Sequence, residues 1–582
     1  MIKRPILLAA VLLATAMPAA AAPAPKAPAP KTPAAETPAP KTPAPKTPAP
    51  KTPTVSNVFE SPTAPAPANE IDRIVFAKLS LLNCQPVLCS DAAFVRRVYL
   101  DVIGTLPTAK EAGDFIRDPD TEGKRRALID RLLEREEFAD YWAMKWGDIL
   151  RIKAEFPVNL WPNAAQAYHH WVRASIAENK PYDQFVREML TSSGSNFRVA
   201  PVNFYRAIQS KTPDGIAGAV ALAFMGSRVD SWPKGRLEGM AVFFSQIGYK
   251  PTREWKEEHV FWDPLGLGAK PAGSEEASAP APPAPKGPLT AVFPDGPEVR
   301  LPADRDPREV FADWLIDAKN PWFARSLVNR VWAWLLGRGV IHEPDDIRDA
   351  NPPSNPALLA FLEKEFVAGK YDMKRLVRMI LNSSTYQASS MPLAGAPKAE
   401  AHFARYPLRR LEAEVLIDAV NQITGTSDLY TSPIPEPFTF IPQDLPAVAL
   451  PDGSITSSFL ALFGRSARAT GMENERDGKM IPAQWLHMLN SRHIQQKLEQ
   501  SPRLKTIIDA KRKPAETLEE LYLTVLSRFP TPEETQNALA YSSTAAPNGS
   551  GKAAKPAATL KRDDWIDITW SLISSIEFLY RH

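Results

Sequence analysis

The stretch Asn320 to Asp349, NPWFARSLVNRVWAWLLGRGVIHEPDDIRD, sets guanidiniums, indoles and carboxylates close together. Three guanidiniums, Arg325, Arg330 and Arg338, stand among Trp322, Trp332 and Trp334, and the acids Glu343, Asp345, Asp346 and Asp349 follow. Inside a fold such arginines need acidic partners, because a buried guanidinium stripped of its partner costs about 3–5 kcal/mol. In a cleft the same groups bind an anion. Both readings use Arg325, Arg330, Arg338, Asp345 and Asp346, and an architectural Arg–Trp–Asp core is the first expectation.

A helix must position them. Asn320-Pro321 reads as an N-cap followed by a first-turn proline. Apolar residues recur at Ala324, Leu327, Val328, Val331, Trp334 and Leu335, a core-facing stripe. Gly337 and Gly339 end it where a left-handed C-cap calls for glycine. Further helices are expected over Pro356–Phe366, Tyr371–Asn382, Pro407–Thr424, Pro482–Ser491 and Trp565–Tyr580. Asn69 reads as a helix cap, and Thr108/Glu111 and Thr531/Glu534 as capping boxes. Residues 426–462 read as irregular structure or a small hairpin, and 547–556 as a polar loop.

Other candidates are weaker. Asp101, Asp148 and Arg97 suit buried ion pairs or, more sharply, a catalytic carboxylate pair. Glu257, Glu258, His259 and Asp263 read as surface charge, since their spacing fits no common ligand pattern. His487 and His493, six residues apart on an expected helix, point apart and make a poor metal pair. The sequence has no G-x-S-x-G, no H-E-x-x-H, no phosphate-binding glycine loop and no calcium loop.

A chain of 582 residues implies several domains, and its net charge of +3 gives no nucleic-acid footprint. Lys3 and Arg4, the apolar run Ile6–Ala16 and Ala19–Ala21 read as a signal peptide over 1–21. The apolar run is short for a membrane span, so a periplasmic or secreted protein with no transmembrane span is expected; an uncleaved anchor is the alternative. Many of the 59 prolines fall in a Pro/Ala/Lys-rich disordered linker over 22–68 and a flexible Pro/Ala/Gly linker over 263–303. The first reads as a spacer, or as a weak binder of an anionic cell-envelope polymer. In an exported chain the two cysteines, Cys84 and Cys89, are expected to form a disulfide.

The phrases RRVYLDVIGTLPT and DRLLEREEFADYWAMKWGDILR resemble the domain-of-unknown-function family fifteen-forty-nine. NPWFARSLVNRVWAWLLGRG, DDIRDANPPSNPALLAFLEKEF and LNSSTYQASS resemble its usual companion, family fifteen-fifty-three, of the planctomycete, cytochrome c-associated type. The resemblance places one helical domain at 69–262 and another at 304–582. The fold class expected is mainly α, two packed multi-helical domains with irregular Pro-rich connections. Relatives carry a C-x-x-C-H phrase where this chain has Ala221, Phe224 and Met225, and a Cys-x-Cys-Glu-Arg phrase where it has Met472 and Asn474 before Glu475-Arg476. Covalent haem needs two thiols and a histidine, so the resemblance implies a haemless member with no cofactor. It also implies a co-encoded, sulfatase-like exported partner. The function expected is that of a non-catalytic helical scaffold or binding partner; the alternatives are an envelope carbohydrate-active or hydrolytic enzyme and a redox-associated protein with a non-covalent cofactor.

Overall fold

The helix Glu136–Ile149 runs through the centre of the protein, because its sequence, EEFADYWAMKWGDI, leaves no polar face after its first turn. Every residue from Tyr141 to Ile149 is buried. Against it lies the helix Phe323–Leu336, which carries the expected apolar stripe. Trp334 meets Trp142 and Trp146 edge-on, with ring centroids 5.6 and 5.9 Å apart. This indole cluster joins the N-terminal helices to the C-terminal ones.

The computed structural model describes residues 57–233, 235–268, 289–392, 397–541 and 560–582. The expected signal peptide, most of the 22–68 linker, the centre of the 263–303 linker and the 547–556 loop lie outside the described residues. The architecture is mainly α, with multi-helical regions from both halves of the chain packed on each other. They share one hydrophobic core, and Val58–His582 forms one compact unit. Among the described residues no helix is long and apolar enough to cross a membrane.

The strands are short. Gly194–Ser195, Glu258–Trp262 and Ile247–Pro251 form an antiparallel sheet with Glu258–Trp262 in the middle and Tyr249 opposite Val260. Thr290–Val292 pairs with Glu298–Arg300, so a hairpin occupies part of the stretch read as linker. Residues 58–68, at the end of the other stretch read as linker, are also anchored. Ser61 donates its amide to Leu88, Ser90 its amide to Phe59, and Ser384 its hydroxyl to Ala66.

The local helix signals hold at three of four starts. Asn69 caps Glu70–Leu81, and the Thr108/Glu111 and Thr531/Glu534 capping boxes form. Asn320 is not the N-cap of Phe323–Leu336, which is Trp322, and Pro321 lies outside the first turn; Asn320 instead accepts the amides of Trp322 and Phe323 at 3.0 and 3.1 Å from three residues before the helix starts. Residues 426–462 are irregular apart from a short helix, Ser458–Leu462, a 3-10 turn, Ala447–Ala449, and a bridge between Thr431 and Thr456.

Three other expectations need correcting. Cys84 and Cys89 form no disulfide; both are buried thiols. The chain between them is extended rather than looped: Ser389 donates its amide to Val87, Cys89 its amide to Gln387, and Leu88 bridges Ala388. The helix expected from Pro407 starts only at Ala413, because Arg409–Arg410 pairs as a strand with Tyr580–Arg581. Glu257 and Glu258 are not surface charges. Glu257 is buried and accepts hydroxyls from Ser195 and Thr252, and Glu258 pairs with Arg206 at 2.9 Å.

Candidate functional site

Four helix ends converge where the two halves of the chain meet. The helix Asp91–Val102 brings Asp101, Glu136–Ile149 brings Lys145 and Asp148, Phe323–Leu336 brings Trp334, and Ala413–Thr424 brings Glu414 with Glu412 just before it. Gly337 ends its helix at φ +70°, where a side chain would be strained. A Cβ there would lie 2.5 Å from Arg409 Cδ, so glycine also lets Arg409 approach. Arg409 donates to the carbonyls of Trp334 and Leu335 at 2.9 and 2.8 Å. A cation thus sits on the negative end of the helix.

Asp101 is the first hub. Its side chain is fully buried, and it accepts from Arg581 at 3.0 Å, Arg409 at 3.3 Å, Tyr386 at 2.9 Å and Tyr406 at 2.8 Å. Asp148 and Glu414 form the second hub around Arg476, which reaches Asp148 at 2.7 Å and Glu414 at 2.6 Å. Arg468 completes Asp148 at 3.1 Å, and Arg465 completes Glu414 at 3.2 Å. Gly147 makes room for Arg468, whose Cζ lies 2.9 Å from where a Cβ would be. Glu412 joins the first hub by accepting from Arg581, and it also accepts from Lys145 and Tyr141; of the second hub, the Arg476 charge acts on it.

These contacts set the carboxyl pKa values apart. Burial pushes Glu414 up, but Arg476 and Arg465 outweigh it and bring it down to about 2. Burial likewise opposes Arg581 and Lys145 at Glu412, and the cations hold that carboxyl well below the usual range. Glu473 moves the other way, raised by burial and then by Asp345. It accepts the Trp334 indole N–H on both oxygens at 2.9 Å.

A depressed folded pKa stabilises above the unfolded value of 4.5 and loses that stability as pH falls toward 2. Between pH 6 and pH 3, Glu414 alone is expected to remove about 2 kcal/mol. Chemical denaturation across that range checks this. Glu414→Gln lowers stability at pH 6 and flattens the acid limb; an unchanged acid limb refutes the assignment.

A cleft of about 680 Å³ opens over this network. Its cationic lining is Arg338, Arg409, Arg410, Arg476, Lys479 and Arg581. A smaller cavity of about 180 Å³ shares Arg409, Glu412, Glu473 and Arg476 with it and adds Lys145 and Asp148. Arg410 donates, among the described residues, to the backbone carbonyls of Leu411, Phe463 and Asp477. Among the described residues, Arg338, Arg410 and Lys479 form no ion pair with a carboxylate.

The five candidates from the sequence are not gathered here. Arg325 pairs with Glu363 at 2.7 Å on a half-exposed face. Arg330 and Asp345 form a buried pair at 2.7 Å, and Asp345 also accepts the Glu473 amide at 2.6 Å. Asp346 pairs with Arg348 at 3.1 Å and lies 3.7 Å from Arg228. Only Arg338 lines the cleft. Asp101 and Asp148 do sit in buried ion pairs, whereas Arg97 donates to the carbonyls of His582, Tyr386 and Ala388. Arg409, Glu412, Glu414, Arg465, Arg468 and Arg581 were missed. Their nearest sequence signals were the Arg409-Arg410 doublet and the Glu475-Arg476 phrase.

His487 and His493 lie closer than a continuous helix would put them. Pro482–Asn490 and Arg492–Glu499 are separate helices, and the break at Ser491 brings the rings to 5.8 Å, edge-on. His493 instead contacts Asp428 at 2.9 Å. Among the described residues no group of three His, Cys, Asp or Glu is arranged to hold a metal.

Residues 70–230 match the model of PSCyt2, a protein family of unknown function (DUF1549), and residues 307–542 that of PSD1, also of unknown function (DUF1553). The chain belongs to these paired families. No curated protein and no solved structure matches it. The central indole cluster therefore joins the PSCyt2 region, through Trp142 and Trp146, to the PSD1 region, through Trp334. Within the PSCyt2 region, Ala221, Phe224 and Met225 lie in a fully buried π-helical turn, with Phe224 packed on Phe204 at 5.1 Å. They supply neither thiols nor an imidazole, so these residues do not fit covalently attached haem. The carbonyls of that turn are engaged: Leu222 and Ala223 accept from Arg330, and Phe224 accepts from Ser326.

Proposed function

We propose that this PSCyt2–PSD1 protein is an exported, non-catalytic, haemless binding protein of the cell envelope. Its cleft receives an anionic group of its ligand. The observation that carries this is the set of three cleft-lining cations, Arg338, Arg410 and Lys479, without a carboxylate partner among the described residues. A guanidinium fork suits a carboxylate, sulfate or phosphate ester. Cleavage of residues 1–21 delivers the protein to the periplasm or medium, and a sulfatase-like exported protein is the partner we assign to it.

Titration of the mature protein with sulfate, phosphate and a hexuronic acid tests the cleft. At least one anion is expected to bind, and Arg338→Ala/Lys479→Ala to weaken it at least tenfold without loss of the fold. No binding, or an indifferent double variant, overturns the reading. A native pull-down from the envelope tests the partner separately.

A second reading, a hydrolase, rests on Glu473 and Glu412 lining one small cavity with carboxyl pKa values pushed in opposite directions. Turnover of an envelope glycan that Glu473→Gln abolishes would favour it over the binding role.

A further inference from the structure

Elsewhere three segments bring aromatic rings to the surface together. Trp161 precedes the helix Pro162–Ala177, Trp255 lies in the connection between strands Ile247–Pro251 and Glu258–Trp262, and Phe438 belongs to the irregular segment after Gly425. Trp161 lies 6.4 Å from Trp255 and 5.3 Å from Phe438 by ring centroid, with interplanar angles of 79° and 62°. In an edge-on pair one ring turns only its rim to the other, so that ring's faces stay free of the contact. Trp255 is 67 % exposed and Phe438 46 %. An exposed cluster of large rings marks an interaction site more often than it marks a stable surface.

The backbone holds these rings in place at a cost. Trp161 has φ +74°, Asn159 φ +63° and Lys256 φ +61°, left-handed conformations unfavourable for residues bearing a Cβ. Lys256 Nζ lies 5.4 Å from the centroids of both Trp161 and Trp255. The acids beside Lys256 in sequence have partners of their own: Glu254 contacts Arg198, Glu257 accepts from Ser195 and Thr252, and Glu258 pairs with Arg206. Lys256 therefore stands among the rings without an ion pair among the described residues.

We infer that this cluster is a binding platform for an acidic saccharide. The negative face of an indole attracts the weakly positive C–H face of a pyranose, and the Lys256 ammonium pairs with the sugar's carboxylate or sulfate. A charge at the middle of the rings argues against a protein partner, because the core of a protein interface is depleted of charge. The inference does not depend on the cleft.

The test is calorimetry and tryptophan fluorescence on the mature protein with alginate oligosaccharides, chondroitin sulfate and neutral dextran oligosaccharides. An acidic oligosaccharide is expected to bind at least tenfold more tightly than the neutral one. Trp255→Ala, at an exposed position the fold tolerates, should weaken it at least tenfold, and Lys256→Gln should remove the preference for acidic sugar. Arg338→Ala/Lys479→Ala should retain this binding, which separates failure of the platform from failure of the cleft. Absence of saccharide binding, or binding indifferent to Trp255→Ala, overturns the platform. Selectivity indifferent to Lys256→Gln overturns the acidic specificity, and loss confined to capture of a protein assigns the surface to that partner instead.

Discussion

Asp101→Ala is expected to destabilise the protein by about 3–5 kcal/mol, the range for removing one member of a buried ion pair. The position is fully buried, and every contact to it comes from a donor: two guanidiniums and two phenol hydroxyls. Arg581 retains Glu412, and Arg409 retains the carbonyls of Trp334 and Leu335. The tyrosine hydroxyls keep no acceptor among the described residues, and Tyr406 retains only the bond it accepts from Arg409. Each phenol left without an acceptor adds a desolvation penalty of roughly 1–3 kcal/mol. Asp101→Asn separates charge from shape. Its amide hydrogens would face donors, so it should lose nearly as much as alanine. Denaturant titration with fitted slopes measures both variants. If either lies within about 0.5 kcal/mol of the parent, the hub has no structural role.

The hub also explains why the two halves of the chain behave as one body. Asp101 lies in the PSCyt2 region, Tyr386, Tyr406 and Arg409 in the PSD1 region, and Arg581 beyond both. Asp148 and Arg476 repeat the arrangement. Ion pairs with so many donors and acceptors in place constrain how the halves dock more than they add net stability, since each charge has given up its water. The apolar contact of Trp334 with Trp142 and Trp146 lies beside them.

What could be read from the sequence was local. The Phe323–Leu336 helix was legible because its stripe repeats every 3–4 residues and its C-cap glycine, Gly337, follows it directly. The two capping boxes were legible for the same reason. Asp101 and Arg581 are 480 residues apart, and Arg476 lies 328 from Asp148. Periodicity carries no information on partners at that separation, so the acids nearest to Arg325, Arg330 and Arg338 were the natural choice. One of them, Asp345, pairs with Arg330. Arg325 instead found Glu363 on the neighbouring helix, and Arg338 found no acid among the described residues. The cysteines misled because compartment and spacing say nothing about a strap held extended by Gln387 and Ser389.

Arg330 is the second position where a large effect is expected. Its guanidinium is wholly buried and donates to Asp345 at 2.7 Å, Ala223 O at 2.8 Å and Leu222 O at 3.3 Å. One side chain thus neutralises an aspartate of the PSD1 region and caps carbonyls of the PSCyt2 turn at Ala221–Met225. Arg330→Met keeps much of the volume but strands the Asp345 carboxylate, with an expected loss of about 3–5 kcal/mol. Arg330→Lys keeps the charge and loses the fork, so roughly 2 kcal/mol should go with the broken carbonyl bonds. The double variant Arg330→Met/Asp345→Asn decides how the loss divides. If the stranded charge dominates, the double variant is more stable than Arg330→Met alone. If the carbonyl caps dominate, removing the charge recovers nothing, and the two losses add. Asp345 also holds the Glu473 amide, so either substitution should shift the near-ultraviolet circular dichroism of Trp334, which lines the smaller cavity. A stable Arg330→Met protein with an unchanged spectrum would show that the core does not need this arginine.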